Sequence, residues 1–104
     1  MARPIYRFAK GSTVTVGLQA LDDGEVGLVS EVKAAMMRRD GSGQVHAMAV
    51  AEDPDLPGWQ LTLDSSALEP GLYVADALLT IAGGVEDTNE QALIEIFDSA
   101  SGRL

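Results

Sequence analysis

The sequence predicts an all-β fold, a seven-stranded antiparallel sandwich, on three observations. Apolar side chains recur with a period of two along nearly every segment. Clusters of Gly, Pro, Asp and Ser break the chain at intervals of about eight to twelve residues, the spacing of short sandwich strands. One stretch, near residues 65–69, reads as helical, and it is only about one turn long.

The elements follow in chain order. "PIYRFA" reads as a first, edge-type strand, and residues 1–10 form either that strand or an N-terminal arm. "STVTVGLQAL" alternates Val14, Val16, Leu18 and Ala20 with Thr13, Thr15 and Gln19, the pattern of a half-buried strand. After the turn residues of "DDGEVG", "SEVKAAMMRR" places Val32, Ala34 and Met36 against Glu31, Lys33 and Arg39. Ala and Met also favour helices, but "DGSG" at 40–43 is a hairpin signal that demands a strand on each side, here 30–39 and "QVHAMAVAE". "DPDLPG" breaks the chain again before "WQLTLD", with Trp59, Leu61 and Leu63 on one face. Asp64 or Ser65 caps the short helical turn, and Pro70 with Gly71 ends it. Residues 71–81 are the next strand, "AGGVEDTN" is a loop, and "EQALIEIFD" is the last strand. Residues 11–98 make the sandwich, and 99–104 a flexible tail.

The 104 residues form one domain, and 46% hydrophobic against 22% charged residues suffices for a core. Sixteen acidic against seven basic residues give a net charge of −9, which repels phosphate backbones and anionic membranes; nucleic-acid and membrane partners are not expected. The absence of cysteine removes disulfides and thiolate zinc sites. No signal-peptide apolar core and no run of about eighteen apolar residues occurs, so the chain is expected to fold in the cytoplasm.

The stretch "PGLYVADALLTIAGG" places Asp76 inside an apolar strand, where a buried, unpaired carboxylate costs several kcal/mol (roughly 2–7 for a polar group alone). Phase resolves the conflict. Asp76 shares a face with Val74, Leu78 and Thr80, while Tyr73, Ala75, Ala77, Leu79 and Ile81 form the inner face. Outward, Asp76 is free to accept hydrogen bonds from a neighbouring Thr or Lys, or from an arm laid across the sheet.

No catalytic residue is expected. His46 is the single histidine, mid-strand on the exposed face by phase; Ser65 and Ser66 lack the G-x-S-x-G elbow and read as caps. Carboxylates gather in "DDGE" (22–25), "EDPD" (52–55) and "EDTNE" (86–90), but none has the EF-hand spacing that would supply calcium with its oxygens. No metal or cofactor is expected; a sugar- or calcium-binding module using these acidic end loops is the alternative reading.

Two features point to protein contacts. Met37, Met48 and Val50 fall opposite Met36, and with Leu93 and Phe97 they leave an apolar outer face. Arg3, Arg7 and Lys10, interleaved with Ile5, Tyr6 and Phe8, either pair with an acidic face of an adjacent subunit or simply accompany a first strand.

The order "KGSTVTVGLQ", "VKAAMMRRDGSGQ", "GWQLTLDSSALEPGLYVADALLT" resembles the small immunoglobulin-like modules of tailed-bacteriophage virions, such as the N-terminal domain of baseplate upper proteins. Gly11, Ser12 and Thr13 match the opening, Asp40 and Gly41 the hairpin, and Leu63 to Leu68 the strand end and turn. Gly71, Tyr73, Asp76 and Leu78 match the signature; Ala75 stands where an aromatic is common and Ala77 replaces a β-branched residue. The resemblance covers most of residues 8–97. It implies an immunoglobulin-like sandwich acting as a non-enzymatic structural protein in head decoration, neck, or tail and baseplate. Its partners would be copies of itself and other virion proteins, its location the virion after synthesis in the host bacterial cytoplasm. The expected interface is Arg3, Ile5, Tyr6, Arg7, Phe8, Met37, Met48, Asp76, Leu93 and Phe97.

Overall fold

A computed structural model describes residues 5–19, 27–81, 84–87 and 92–98. They form eight strands: β1 (Ile5–Ala9), β2 (Thr13–Gln19), β3 (Val29–Arg38), β4 (His46–Glu52), β5 (Gly58–Asp64), β6 (Gly71–Ile81), β7 (Gly84–Asp87) and β8 (Ala92–Phe97). The expected helical turn is a 3-10 turn at Ser65–Ala67. β7 lies in a segment expected to be a loop, so the seven-strand expectation falls short by one.

Hydrogen bonding runs along the path β1-β8-β6-β3-β4-β5-β2, with β7 beside the far half of β6. β4 serves two partners, pairing β3 through residues 46–48 and β5 through residues 49–52. The path's two ends, β1 and β2, are consecutive in sequence and separated by residues 10–12, so the path nearly closes on itself.

The expected all-antiparallel arrangement is corrected at one place: β1 runs parallel to β8, in register from Ile5 opposite Leu93 to Ala9 opposite Phe97. Alternation of apolar residues is the same in parallel and antiparallel strands. The direction depends on which strand the edge joins, and periodicity is silent about that.

The near-closure is held by Ser65, which is fully buried. Its hydroxyl donates to the Ser12 carbonyl at 2.6 Å and accepts from the Gly11 amide at 3.0 Å, while its own amide donates to the Ser12 carbonyl at 3.1 Å. The Lys10 amide donates to the Phe97 carbonyl at 2.9 Å, tying the link to β8 as well. Asp64 is the cap of the 3-10 turn, accepting from the Ser66 amide at 2.9 Å and hydroxyl at 2.7 Å. These bonds from Ser66 hold its carboxyl below the ordinary aspartate value.

The core is built from the faces that phase assigned on β2, β3, β5 and β6: Val14, Met36, Trp59, Leu61, Tyr73, Ala75 and Ala77 are buried, with Ile94 and Ile96 from β8. β4 departs from expectation. Met36 pairs with His46 and Ala34 with Met48, so His46 and Met48 share the inner face, with Val50 two residues on packing partly buried against the core. A tight turn centred on Gly41 and Ser42 would pair even-numbered with odd-numbered residues. The actual link runs over 39–45, the pairing is even with even, and every β4 side chain is reversed. Met48 is therefore core, and His46 is half-buried rather than exposed.

Candidate interaction face

Along β6 the side chains alternate as expected. Tyr73, Ala75 and Ala77 are buried, Leu72, Asp76 and Leu78 are exposed, and Val74 is half-buried on the outer side. Residues paired across strands project to the same face, which makes the outer rows legible from the register. One row is wholly apolar: Ile5 is paired with Leu93, Leu93 with Val74, and Val74 with Met37. It crosses β1, β8, β6 and β3. At about 4.8 Å between strands, three intervals span about 14 Å. Ile5 is 54% and Met37 36% exposed; Val74 and Leu93 are half-buried between them.

Charged rows flank this stripe. Toward one end Arg7 is paired with Glu95 and Glu95 with Leu72; Arg7 Nε lies 3.4 Å from Glu95 Oε1. The Arg7 guanidinium also stands 5.1 Å from the centre of the Phe97 ring, so it covers that aromatic while keeping its ion pair. Toward the other end Asp76 is paired with Ala35, and Ala35 with Ala47. The alanines leave the exposed carboxylate open, and no Thr or Lys reaches it: among the described residues Asp76 has no hydrogen-bond or ion-pair partner.

Six of the ten expected interface residues, Ile5, Arg7, Met37, Asp76, Leu93 and Phe97, share this face. Tyr6 and Phe8 belong to the opposite one, because their register partners are the core residues Ile94 and Ile96. Phe8 packs against the core, and Tyr6 remains 44% exposed. Met48 is interior, and Arg3 lies outside the described residues. Val74 and Leu72 are the members that the expected interface lacked, although the parity that turned Asp76 outward applies to both.

His46 stands edge-on to Tyr73, ring centres 6.5 Å apart, and the Ser65 hydroxyl is taken up by the backbone of residues 11–12. Of the acidic clusters, 22–25 lies outside the described residues. In 52–55, Asp53 Oδ1 accepts from the amides of Asp55 and Leu56 and shapes its own turn. Glu86 and Asp87 lie on β7, and 88–90 fall outside the described residues. Among the described residues no group of three or more His, Asp or Glu side chains is placed to hold a metal ion.

Among the described residues, two surface grooves are formed. One of about 150 Å³ lies between Leu18, Asp53, Leu56 and Trp59; the other, of about 400 Å³, between Arg38, Arg39, Asp40 and Leu72.

No family model and no curated protein matches the chain. The crystal structure of Listeria monocytogenes InlP is similar to it over 91% of its length, with a TM-score of 0.57 and 23% sequence identity. At that identity the likeness shows the fold alone. The chain spans about a quarter (26%) of the InlP chain.

Proposed function

We propose that the chain is a non-enzymatic structural module that adheres to protein surfaces through the outer face of β1, β8, β6 and β3. The observation that carries this reading is the four-strand apolar row Ile5, Leu93, Val74 and Met37, bordered by the Arg7–Glu95 pair and the open Asp76 carboxylate. An exposed apolar stripe with a polar border has the composition of a protein interface, dry at its centre and charged at its rim.

The module is read as immunoglobulin-like. The neighbours β2-β5-β4 and β3-β6-β8 correspond to the B-E-D and C-F-G pairings of that fold. Tyr73, near the start of β6, donates its hydroxyl to the Glu69 carbonyl at 2.7 Å, in the manner of the tyrosine corner. The parallel β1 is the departure. Placement in a phage or phage-like particle, repeated with its symmetry, rests on the sequence resemblance. A fold of this kind does not choose among functions.

Co-fractionation tests the reading. Particles purified on a density gradient from the chain's own source are expected to carry it at fixed stoichiometry, and Val74→Asp is expected to leave it in the unassembled fraction while it still melts cooperatively, about 4–8 °C below wild type. Wild-type protein confined to the unassembled fraction would sink it.

A further inference from the structure

We propose that copies of this chain also associate head to tail, the β4–β5 turn of one copy, led by Asp55 and Leu56, seating in the groove between Arg38, Arg39 and Leu72 of the next. This contact shares Leu72 with the border of the lateral face described above and leaves the apolar row Ile5, Leu93, Val74 and Met37 unused.

The groove is basic and apolar. The Arg39 amide donates to the Leu72 carbonyl at 3.0 Å, which sets the arginine beside a leucine that is 38% exposed. The Arg38 guanidinium lies 5.4 Å from the centre of the Tyr73 ring, with Nη1 against Gly71, where a Cβ would come within 2.9 Å of it. Asp40 lines the same groove; its Oδ1 accepts from the Ser42 amide at 2.8 Å and hydroxyl at 2.6 Å, and these bonds, with the Arg38 charge, keep it ionised, so the groove carries two positive charges against one negative. Among the described residues the ion pairs are Arg7 with Glu95 and Lys33 with Glu31; Arg38 and Arg39 have none. In a chain with sixteen acids and seven bases, two adjacent unpaired arginines are a conspicuous surplus of the scarcer charge.

The turn has the complementary chemistry. Leu56 is 58% exposed, and Glu52 and Asp55 beside it are exposed acids. Asp53 Oδ1 accepts from the Asp55 amide at 2.8 Å and the Leu56 amide at 3.1 Å, the Asp53 amide donates to the Gly58 carbonyl at 3.0 Å, and Pro54 and Pro57 restrict the backbone. Such a turn is already ordered, so docking it costs little conformational entropy. Groove and turn each present an apolar side chain among charges, and the net charges are of opposite sign, two arginines against Asp40 in the groove and acids at the turn.

β4 begins beside the groove and ends at the turn, and its seven residues at about 3.3 Å each separate the two by roughly 20 Å. That exceeds two Debye lengths of about 8 Å at physiological salt. Each end therefore responds to its local partner more than to the net charge of −9. Because the two surfaces differ, the contact is heterologous and propagates from copy to copy.

Sedimentation velocity over a protein concentration series tests the contact, with circular-dichroism melting to verify that each variant folds. In about 0.1 M salt the wild-type mass is expected to rise with concentration, and in about 1 M salt to fall toward monomer as the Debye length shrinks from about 10 to about 3 Å. Arg39→Glu and Asp55→Arg are each expected to weaken association at least tenfold. An equimolar mixture of the two, and one chain carrying both, are expected to regain it. Monomeric wild-type protein at low salt, association unchanged in either single variant, or a charge swap that restores nothing would each overturn the proposal. Val74→Asp is expected to leave this association intact; its loss there, with Arg39→Glu unaffected, would overturn the head-to-tail contact and leave the lateral face standing.

Discussion

Val74 on β6 lies directly opposite Met37 on β3, and both face away from the core that their sequence neighbours Tyr73 and Met36 fill. The pair marks the middle of the outer apolar row. Val74→Asp places a charge there without entering the interior. Its expected cost to folding is about 1 kcal/mol, the span of strand propensity on an outer face, read by urea unfolding. Its expected effect on lateral binding is at least tenfold.

Two methionines separate the observed β4 register from the expected one. Met48→Ala empties core volume and is expected to cost about 2–5 kcal/mol in urea unfolding. Met37→Ala, on the outer face, is expected to stay within about 0.5 kcal/mol of wild type. Equal effects would mean that β4 pairs one residue out of step.

Ser65→Ala removes the hydroxyl that joins the Gly11 amide to the Ser12 carbonyl. The stranded amide is expected to cost about 1–3 kcal/mol. Amide exchange at Gly11 is expected to accelerate with it, since that hydrogen has no other partner among the described residues.

Gly58 has a φ of +138°, and a Cβ there would collide with the Leu18 carbonyl on β2. Gly58→Ala is expected to destabilise by about 1–3 kcal/mol through backbone strain and to loosen the β2–β5 ladder at that end. Strand-specific hydrogen exchange reads both effects.

Acid tests the cap. The Asp64 carboxyl titrates below 3.8, held down by the Ser66 hydroxyl and amide, so its contribution is present above the unfolded value and is lost as pH falls through the lower folded one. The melting temperature of Asp64→Ala is therefore expected to lie below wild type at pH 7, the gap closing below about pH 4.

Much of the fold was legible because a period of two carries two statements at once: strand, and which side faces in. For β2, β3, β5 and β6 both were right, and Asp76 turned outward by parity alone. β4 failed because its phase depends on the link between Arg38 and His46, whose "DGSG" signature marks a turn without fixing how many residues stand outside the ladder. The direction of β1 was illegible for a related reason: Ile5, Tyr6 and Phe8 say that a strand forms, and say nothing of the neighbour it joins. Of the candidate face, Ile5, Met37, Leu93 and Phe97 were readable one at a time. That Leu93 and Val74 bridge Ile5 to Met37 is a fact of strand order, which no local pattern encodes.

The parallel pairing of β1 with β8 has a mechanical side. Tension applied at Ile5 and at Phe97 pulls these neighbours in opposite senses along their common axis, so the hydrogen bonds of the ladder are sheared together. A hairpin pulled from its open end would instead unzip bond by bond. Since forced unfolding is governed by the unfolding rate, a domain strung between two attachment points in this orientation resists extension far better than its equilibrium stability alone would indicate.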